Sequence, residues 1–242
     1  MQKALLSRLL HRDLSNPQHL TNVHKFYEVP SPAGSFFSLS PSTNSIFKPK
    51  DSTIHKPLST QQFLNKRLRW ITLGGQYDWT EKVYPTEQPP VFPDDIAQLL
   101  RAIFPAMKPE AAIINLYSPG DTLSMHRDVA EFCDAGLISV SIGCEAVFIV
   151  GVESQERPEG DCRVQAIHLR SGDAVFMDGA SRFAWHGVPQ VVPGTCPEWL
   201  KDWPSGEEMN KNGADPYESW KGWMANKRIN LNVRQMWENE VT

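Results

Sequence analysis

The chain lacks three features that would each place it in a familiar class of protein. Only four of its 242 residues are cysteine, and none form a C-x-x-C pair. This argues against a structural zinc site or a disulfide framework and predicts a reducing intracellular compartment, leaving nucleus, cytoplasm and mitochondrion open. No apolar run approaches the ~20 residues that span a bilayer, so no membrane partner is expected. The formal net charge of −4 means that nucleic-acid binding would need a local positive patch.

What the chain does contain indicates a mainly β domain with flanking helices. From residue 111 onward, short apolar runs alternate with Gly/Pro turns, which favours a closed or sandwiched sheet, specifically a jelly-roll or double-stranded β-helix. The predicted strands are 111–117, 138–142, 146–150, 165–169 and 174–177, then the segment around His186 and a terminal strand at 227–235. Helices are predicted at 60–68 and 93–104. The Ser- and Pro-rich residues 29–60 are either a wrapping arm or a mobile segment.

A candidate metal site lies at His126-Arg127-Asp128, with His186 much later in the chain. On an extended segment, an H-x-D pair puts both side chains on one face, because strand side chains alternate. Two imidazoles and one carboxylate, bound facially with the remaining positions open, suit a non-haem Fe(II) that must also bind a co-substrate and O₂. The alternative is that these are ordinary surface polar residues.

The last predicted strand alternates strictly between polar and apolar residues. Its polar positions share one face and are Arg228, Asn230, Asn232 and Arg234. Guanidinium forks match carboxylates, so this face could anchor a dicarboxylate, and the alternative is a solvated face of a half-buried strand. Asn115 and Tyr117 share a face of an earlier strand, just upstream of the metal ligands.

Four motifs in order carry a resemblance to a known family. They are N-x-Y-x-P-G at 115–120, H-x-D at 126–128, S-R-x-x-x-H-G at 181–187 and R-x-N-x-x-x-R at 228–234. Together they resemble the AlkB family of Fe(II)- and 2-oxoglutarate-dependent dioxygenases across about half of the chain. Residues 68–79 further resemble the eukaryotic branch of AlkB homologue one.

The resemblance implies a ligand set and a reaction. His126, Asp128 and His186 would hold Fe(II), with 2-oxoglutarate and O₂ as co-substrates. The residues implied for 2-oxoglutarate are Asn115, Tyr117, Arg228, Asn230 and Arg234. In this arrangement Arg228 pairs with the far carboxylate, assisted by Asn230 and Tyr117, and Arg234 and Asn115 lie at the iron end. The implied reaction hydroxylates an N-methyl group, which leaves as formaldehyde, with succinate and CO₂ as co-products.

The implied substrate is a methylated base in DNA or RNA, either N6-methyladenine in DNA or N1-methyladenine in tRNA. A buried iron cannot reach into a duplex, so the nucleic acid should be single-stranded, bulged or flipped. Cations interleave with aromatics at 66–79, and the predicted substrate contacts are Arg69, Trp70, Gln76, Tyr77 and Glu131. Trp70 and Trp79 could instead be packing residues. Position 130 is alanine, where bacterial members carry an acidic residue, so their base preference is not transferred.

The predicted organisation is one globular unit with three parts. Residues 1–62 form an N-terminal extension, 63–110 a nucleotide-recognition lid with supporting helices, and 111–242 the catalytic core. Within the core, the Trp-rich connection 193–227 is either a structural flap docked on the body, which we favour, or part of the substrate cleft.

Other functions remain open at this stage. An abasic-site DNA lyase would need only a lysine amine for a Schiff base, and Lys66, Lys82 and Lys227 are possible donors. A protein or small-molecule hydroxylase could use the same iron site, and a partner-binding module with a vestigial site is the third alternative. Protein partners are not predicted.

Overall fold

The architecture is mainly antiparallel β, as seen in a computed structural model that describes residues 1–44, 46–85, 88–153 and 162–238. The strands are β1 (Tyr27–Glu28), β2 (Lys48–Pro49), β3 (Trp70–Gly74), β4 (Ala111–Tyr117), β5 (Leu123–His126), β6 (Leu137–Gly143), β7 (Ala146–Glu153), β8 (Cys162–Leu169), β9 (Ala174–Met177), β10 (Trp185–Val191) and β11 (Arg228–Arg234). β1 and β2 form a small separate ribbon. The remaining strands form two sheets.

The two sheets have the strand orders of a jelly-roll. The major sheet is β3-β4-β11-β6-β9 and the minor sheet is β5-β10-β7-β8. β11 lies in the middle of the major sheet, between β4 and β6. Its apolar residues Ile229, Leu231 and Val233 are fully buried in the core, and strand alternation therefore puts its polar residues on the opposite face. The mainly β, jelly-roll prediction is confirmed.

The helices pack around this core. α1 (Gln2–Leu6) runs into a π-helical segment at Ser7–Asp13, α2 (Thr60–Gln62) into another at Phe63–Arg67, and α3 spans Asp94–Ile103. A reciprocal pair of hydrogen bonds between Ser59 and Gln62 caps α2. The helices predicted at 60–68 and 93–104 are therefore present. In the described chain, no helix has both the length and the apolar character needed to cross a membrane.

The Trp-rich connection 193–227 docks on the N-terminal part of the chain. Trp203 and Trp223 lie edge-on to Phe37, with ring centroids 5.3 and 5.0 Å away. The indole N–H of Trp220 donates to the carbonyl of Leu39 at 2.9 Å. These contacts are those of a structural flap. The segment is also ordered into short 3₁₀ turns (Glu198–Leu200, Glu218–Trp220 and Trp223–Asn226).

Four strands, β1, β2, β3 and β5, were not among those predicted from the sequence, and of these β3 joins the major sheet. β3 lies within 63–110, which was assigned to a lid with helices, yet it forms an edge of the major sheet against β4. Ile71 and Leu73 are fully buried, and alternation directs Trp70 to the face that carries the polar residues of β4 and β11. β3 ends at Gly74, whose φ of +62° and close approach to the Glu110 carbonyl leave no space for a Cβ.

Candidate active site

The three predicted metal ligands converge at one end of the minor sheet. His126, the last residue of β5, pairs directly with His186 of β10 across the two strands. Asp128 follows two residues later, with its carboxylate oxygens 3.7 Å from the Nε2 atoms of both histidines. The three ligand atoms all lie within 4.8 Å of one another. The residues of the H-x-D motif and the distant histidine therefore form a three-ligand facial site.

Backbone carbonyls fix the orientation of both imidazoles. Nδ1 of His126 is 2.9 Å from the carbonyl oxygen of Ser124, and Nδ1 of His186 is 3.0 Å from that of Ala184. A ring that donates from Nδ1 keeps Nε2 as a free lone pair, which is how metal-binding histidines are held. His126 is the most open of the ligands at 35% exposure, against 6% for His186, so the site is approached from the His126 side.

A chain of buried charges holds the carboxylate ligand. Arg234 contacts Asp128 Oδ2 through Nη2 at 3.0 Å and Glu131 Oε1 through Nε at 2.7 Å. Arg182 donates to the other oxygen of Glu131 at 2.9 Å and to the backbone carbonyl of Asp128 at 2.8 Å. Asn232 adds a hydrogen bond to Asp128 Oδ2 at 3.2 Å. The Asp128 carboxylate is thus oriented by side chains of the protein itself.

This network sets the charge of the ligands. Burial would raise the pKa of Asp128, but the positive charge of Arg234 and the nearby imidazoles outweigh it and hold the pKa at about 2. Burial also lowers the pKa of His186. An ionised carboxylate beside a neutral imidazole is the protonation state that metal coordination requires.

The other end of β11 presents a buried cation with no acidic partner. Arg228 is 1% exposed, and its Nη2 donates a hydrogen bond to Ser141 Oγ at 2.9 Å. Within the described residues, its Nε and Nη1 atoms and the Tyr117 hydroxyl have no hydrogen-bond partner. Burial lowers the pKa of Arg228; Tyr117 opposes this effect, and no carboxylate among the described residues does so. A buried, unpaired guanidinium is costly, so this geometry is suited to an incoming carboxylate.

Two predicted asparagines lie between these ends. Asn230 was predicted to assist Arg228, whereas Asn115 was predicted at the iron end beside Arg234, whose partner on β4 is instead Ala111. Asn230 and Asn115 are direct cross-strand partners on β11 and β4. The amide of Asn230 donates to Ser139 Oγ at 2.7 Å. The polar face of β11 thus has the Arg228 guanidinium at one end and Arg234, which contacts the metal ligand Asp128, at the other. This arrangement fits a dicarboxylate that chelates a metal through one end and pairs with Arg228 through the other.

Aromatic side chains form a wall beside the site. The rings of Trp70 and Trp79 lie 5.0 Å apart, and Tyr77 meets Trp79 edge-on at 4.9 Å. Trp70 is the cross-strand partner of Asn115. Tyr77 and Ala130, the latter two residues after the metal ligand Asp128, both pack against the small buried cluster of Tyr84, Ala111 and Met236. The charges of Arg234 and Asp128 also act on the Tyr77 hydroxyl. The structure therefore brings Trp70 and Tyr77 to the site.

The remaining predicted substrate residues make contacts within the protein. Gln76 donates to the carbonyl of Gly74 at 2.7 Å and accepts from the backbone N–H of Leu20 at 3.1 Å. Arg69 is half exposed and pairs with Asp121. Glu131 has a side chain that is only 2% exposed, with both carboxylate oxygens bound by arginines. In place of the predicted substrate contact, the structure gives Glu131 the role of holding Arg234.

Sequence reasoning did not assign three residues that complete the site. Arg182 lies in the S-R-x-x-x-H-G motif but was not given a role. Asn232 belongs to the polar register of β11 and contacts Asp128. Ser141 holds Arg228 and sits on the neighbouring strand β6. The alternation of β11 was the signal that could have found Asn232.

Fold and site together define a class of enzyme. A jelly-roll with a His-Asp-His facial triad and a buried arginine facing it is the arrangement of a 2-oxoglutarate-dependent Fe(II) oxygenase. The family model described as the 2OG-Fe(II) oxygenase superfamily matches residues 23–234. The chain belongs to this superfamily and, within it, to the AlkB family.

Relatives place the chain among eukaryotic AlkB homologues. It is 51% identical to the N6-methyladenosine RNA demethylase ALKB1 of Pyricularia oryzae, over 98% of this chain and 71% of that protein. It is 49% identical to the N6-methyladenosine RNA demethylase ALKBH of Cryphonectria parasitica, over 94% of this chain and 98% of that protein. The tRNA demethylase abh1 of Schizosaccharomyces pombe is 37% identical over 98% of this chain and 75% of its own length.

A solved structure shares the fold. The structure of OsALKBH1 superposes with a TM-score of 0.53 at 22% identity, over 69% of this chain and 77% of that chain. The cofactors of the superfamily are Fe(II), 2-oxoglutarate and O₂. His126, Asp128 and His186 would hold the iron, and Arg228 and Tyr117 the far carboxylate of 2-oxoglutarate. Once bound, iron and 2-oxoglutarate supply oxidation of a C–H bond by O₂.

Proposed function

We propose that this enzyme oxidatively demethylates N6-methyladenosine in RNA. The observation that carries the oxygenase part is the facial triad together with the unpaired guanidinium of Arg228. Support for the substrate comes from the two relatives near 50% identity, both named as N6-methyladenosine RNA demethylases. N6-methyladenine in DNA and N1-methyladenine in tRNA, the substrates implied by the sequence, remain to be compared with it.

The protein contributes binding, orientation and exclusion of water to this reaction. The Arg234–Glu131–Arg182 chain of ion pairs orients the Asp128 carboxylate that would help to hold the iron. Arg228 and Tyr117 orient the co-substrate. The methyl carbon gains a hydroxyl group, and its C–N bond then breaks to give formaldehyde and the unmodified adenine.

We further infer that the base enters in an unstacked form. The ligands lie at the end of a sheet, and only His126 among them is substantially open, so a stacked base could not reach the iron. Trp70 and Tyr77 offer aromatic surface at this opening, and base–aromatic stacking contributes ~1–3 kcal/mol per base. Single-stranded or bulged RNA is therefore the preferred form of the substrate.

The test is 2-oxoglutarate-dependent formaldehyde release, with Fe(II) and ascorbate. The panel contains N6-methyladenine in RNA and DNA and N1-methyladenine in tRNA, each as single-stranded, bulged and duplex oligonucleotides. We expect the highest turnover on single-stranded N6-methylated RNA, and none with the Asp128→Ala variant or with EDTA. Succinate formation without formaldehyde on every substrate would refute the nucleobase assignment and point to a protein or small-molecule hydroxylase.

A second candidate activity rests on Lys227. Lys227 lines a cavity of about 390 Å³, and its Nζ donates to Ser118 Oγ at 2.9 Å and to the Asn65 carbonyl at 3.2 Å. Burial lowers its pKa to about 8, which increases the fraction of free amine. Of the three lysines considered for an abasic-site lyase, Lys66 and Lys82 are exposed, so Lys227 is favoured.

In this reaction the Lys227 amine would attack the C1′ aldehyde of an abasic site. Water leaves to form an iminium, a proton is lost from C2′, and the C3′–O bond breaks. Borohydride should trap the iminium in EDTA with the wild type and with Asp128→Ala, but not with Lys227→Ala. Equal trapping by Lys227→Ala would exclude this assignment.

A further inference from the structure

A large cavity adjoins Trp70 and Tyr77 and joins the predicted substrate segment to residues 20–29, to which the sequence analysis gave no function. Its volume is about 1080 Å³, at the upper end of the ~300–1,000 Å³ of small-molecule pockets. Its lining includes residues 20–29 of the N-terminal part, Lys66 and Arg67 at the end of the π-helical segment, and residues 76–80. We call this cavity the arm groove.

The arm groove concentrates positive charge on an acidic protein. Its lining contains five lysines and arginines against two acids, whereas the whole chain has 24 basic and 28 acidic residues. The basic residues are Lys25, Lys50, Lys66, Arg67 and Arg69. Among the described residues, no carboxylate lies within salt-bridge distance of Lys50, Lys66 or Arg67. This is the local positive patch that nucleic-acid binding by a chain of net charge −4 requires.

Aromatic side chains are interleaved with these cations. Trp79 is 47% and Phe26 46% exposed, and the Lys25 ammonium lies 5.7 Å from the centre of the Phe26 ring. Exposed aromatic faces beside unpaired cations form a surface on which bases stack while phosphates pair with lysine and arginine. A small anionic ligand would need the cations but not the exposed aromatic rings.

The groove and the iron site share a wall. Trp70 and Tyr77 line the groove. Trp70 is also the cross-strand partner of Asn115 on the polar face of the major sheet, and the charges of Arg234 and Asp128 act on the Tyr77 hydroxyl. An RNA strand bound in the arm groove could therefore place one of its bases in the iron site, with that base passing Trp70 and Tyr77.

We propose that the arm groove binds the phosphodiester chain of single-stranded RNA next to the target base, with Lys50, Lys66 and Arg67 on its phosphates and Trp79 under a neighbouring base. This rests on the proposed function, whose substrate class it deepens. The occupant is a single-stranded polynucleotide because the lining supplies both phosphate contacts and stacking surfaces along one path. The N-terminal part of the chain thereby becomes part of the substrate site.

The experiment measures fluorescence anisotropy with a labelled, unmethylated RNA of about 12 nucleotides, within the ~4–16 nucleotides of single-strand sites. The test variant is Lys50→Ala/Lys66→Ala/Arg67→Ala. The matched control is Lys56→Ala/Arg101→Ala/Lys211→Ala, which removes two lysines and one arginine that are exposed and lie outside the groove. Affinity is measured from low to high salt. The 2-oxoglutarate affinity and melting temperature of each variant establish that the iron site and fold are intact.

We expect the test variant to lose about tenfold or more in affinity at low salt. The magnitude of the slope of log K against log salt should fall by about 2, because three phosphate contacts are lost and each contributes ~0.7 on a single strand. The control variant should keep the wild-type slope. Trp79→Ala should lower the RNA affinity but leave the salt slope unchanged, because it removes no charge. Duplex RNA should bind more weakly, and single-stranded DNA serves to separate sugar preference from phosphate binding.

Equal slopes for test and control variants would overturn the proposal. Failure of the proposed function gives a different result, since wild-type protein would then bind RNA in the groove yet release no formaldehyde from methylated RNA. Conversely, formaldehyde release from a methylated trinucleotide by the wild type, together with unchanged RNA binding by the test variant, would refute the groove alone.

Discussion

The two arginines at the ends of β11 have the same burial but opposite surroundings. Arg234 is 5% exposed and lies between the carboxylates of Asp128 and Glu131. Arg228 is 1% exposed, and no carboxylate of the described chain is near it. Arg234 therefore completes a charge network within the protein, whereas Arg228 is held ready for a charge from outside. One strand thus carries, six residues apart, a cation paired within the protein and a cation that we expect to pair with a ligand carboxylate.

The largest expected effect comes from breaking the completed network. Arg234→Met leaves the buried carboxylates of Asp128 and Glu131 without their shared cation. Removing one partner of a buried pair costs about 3–5 kcal/mol, so the metal-free protein should lose about this much free energy of unfolding in urea. Arg228→Met, which removes the same charge from the same strand, is the control. A loss below about 1 kcal/mol would show that the network contributes little.

The same substitution at the other end should separate ligand binding from stability. Arg228→Met replaces an unpaired buried cation by an apolar side chain, which is neutral or stabilising. Co-substrate binding should weaken by about 2–5 kcal/mol, or at least about 30-fold in Kd. Calorimetric titration of 2-oxoglutarate into the Mn(II)-loaded protein, without O₂, measures this. Arg228→Lys keeps the charge without the fork and should bind with intermediate affinity. Unchanged 2-oxoglutarate affinity in Arg228→Met would remove the anchor assignment.

Lys227, next to Arg228, is a second buried cation of this strand end, and it should make the free energy of unfolding depend on pH. Burial lowers its pKa from 10.5 to about 8, so between these values the unfolded chain binds more protons than the folded one. Stability therefore rises with pH in this range, and below about pH 8 the cost of the buried ammonium is fully present. Urea unfolding at about pH 7.5 and about pH 9.5 should show the wild type gaining stability relative to Lys227→Met. A constant difference between the two proteins would contradict the buried-amine assignment.

Local patterns in the sequence predicted the ligands because their chemistry is local. H-x-D on an extended segment and the alternation of β11 fix which side chains share a face, whatever the rest of the chain does. The pairing of Glu131 with Arg182 and Arg234 depends on contacts between positions 51 and 103 residues apart in the chain. Sequence alone therefore assigned Glu131 to the substrate, since an acid beside a metal ligand has no visible partner.

The fold shows the same division between local and distant contacts. Apolar runs from residue 111 onward identified the core strands of both sheets. β3 was assigned to the lid because its aromatic and cationic neighbours suggested substrate contact, although Ile71 and Leu73 carry the alternation of a strand. The arm groove joins residues 20–29 to residues 66–80. No periodicity within either segment could indicate that they face each other.

The smallest effect tests whether Tyr117 and Arg228 act on the same group. The buried Tyr117 hydroxyl has no partner among the described residues, so Tyr117→Phe should leave the free energy of unfolding unchanged. A lost hydrogen bond of ~0.5–1.5 kcal/mol should raise the Kd for 2-oxoglutarate by about 2- to 12-fold. If both side chains hold one carboxylate, the double variant Tyr117→Phe/Arg228→Met should bind about as weakly as Arg228→Met alone. Additive losses would mean that the two ends of the co-substrate are held separately, and that the tyrosine belongs to another part of the site.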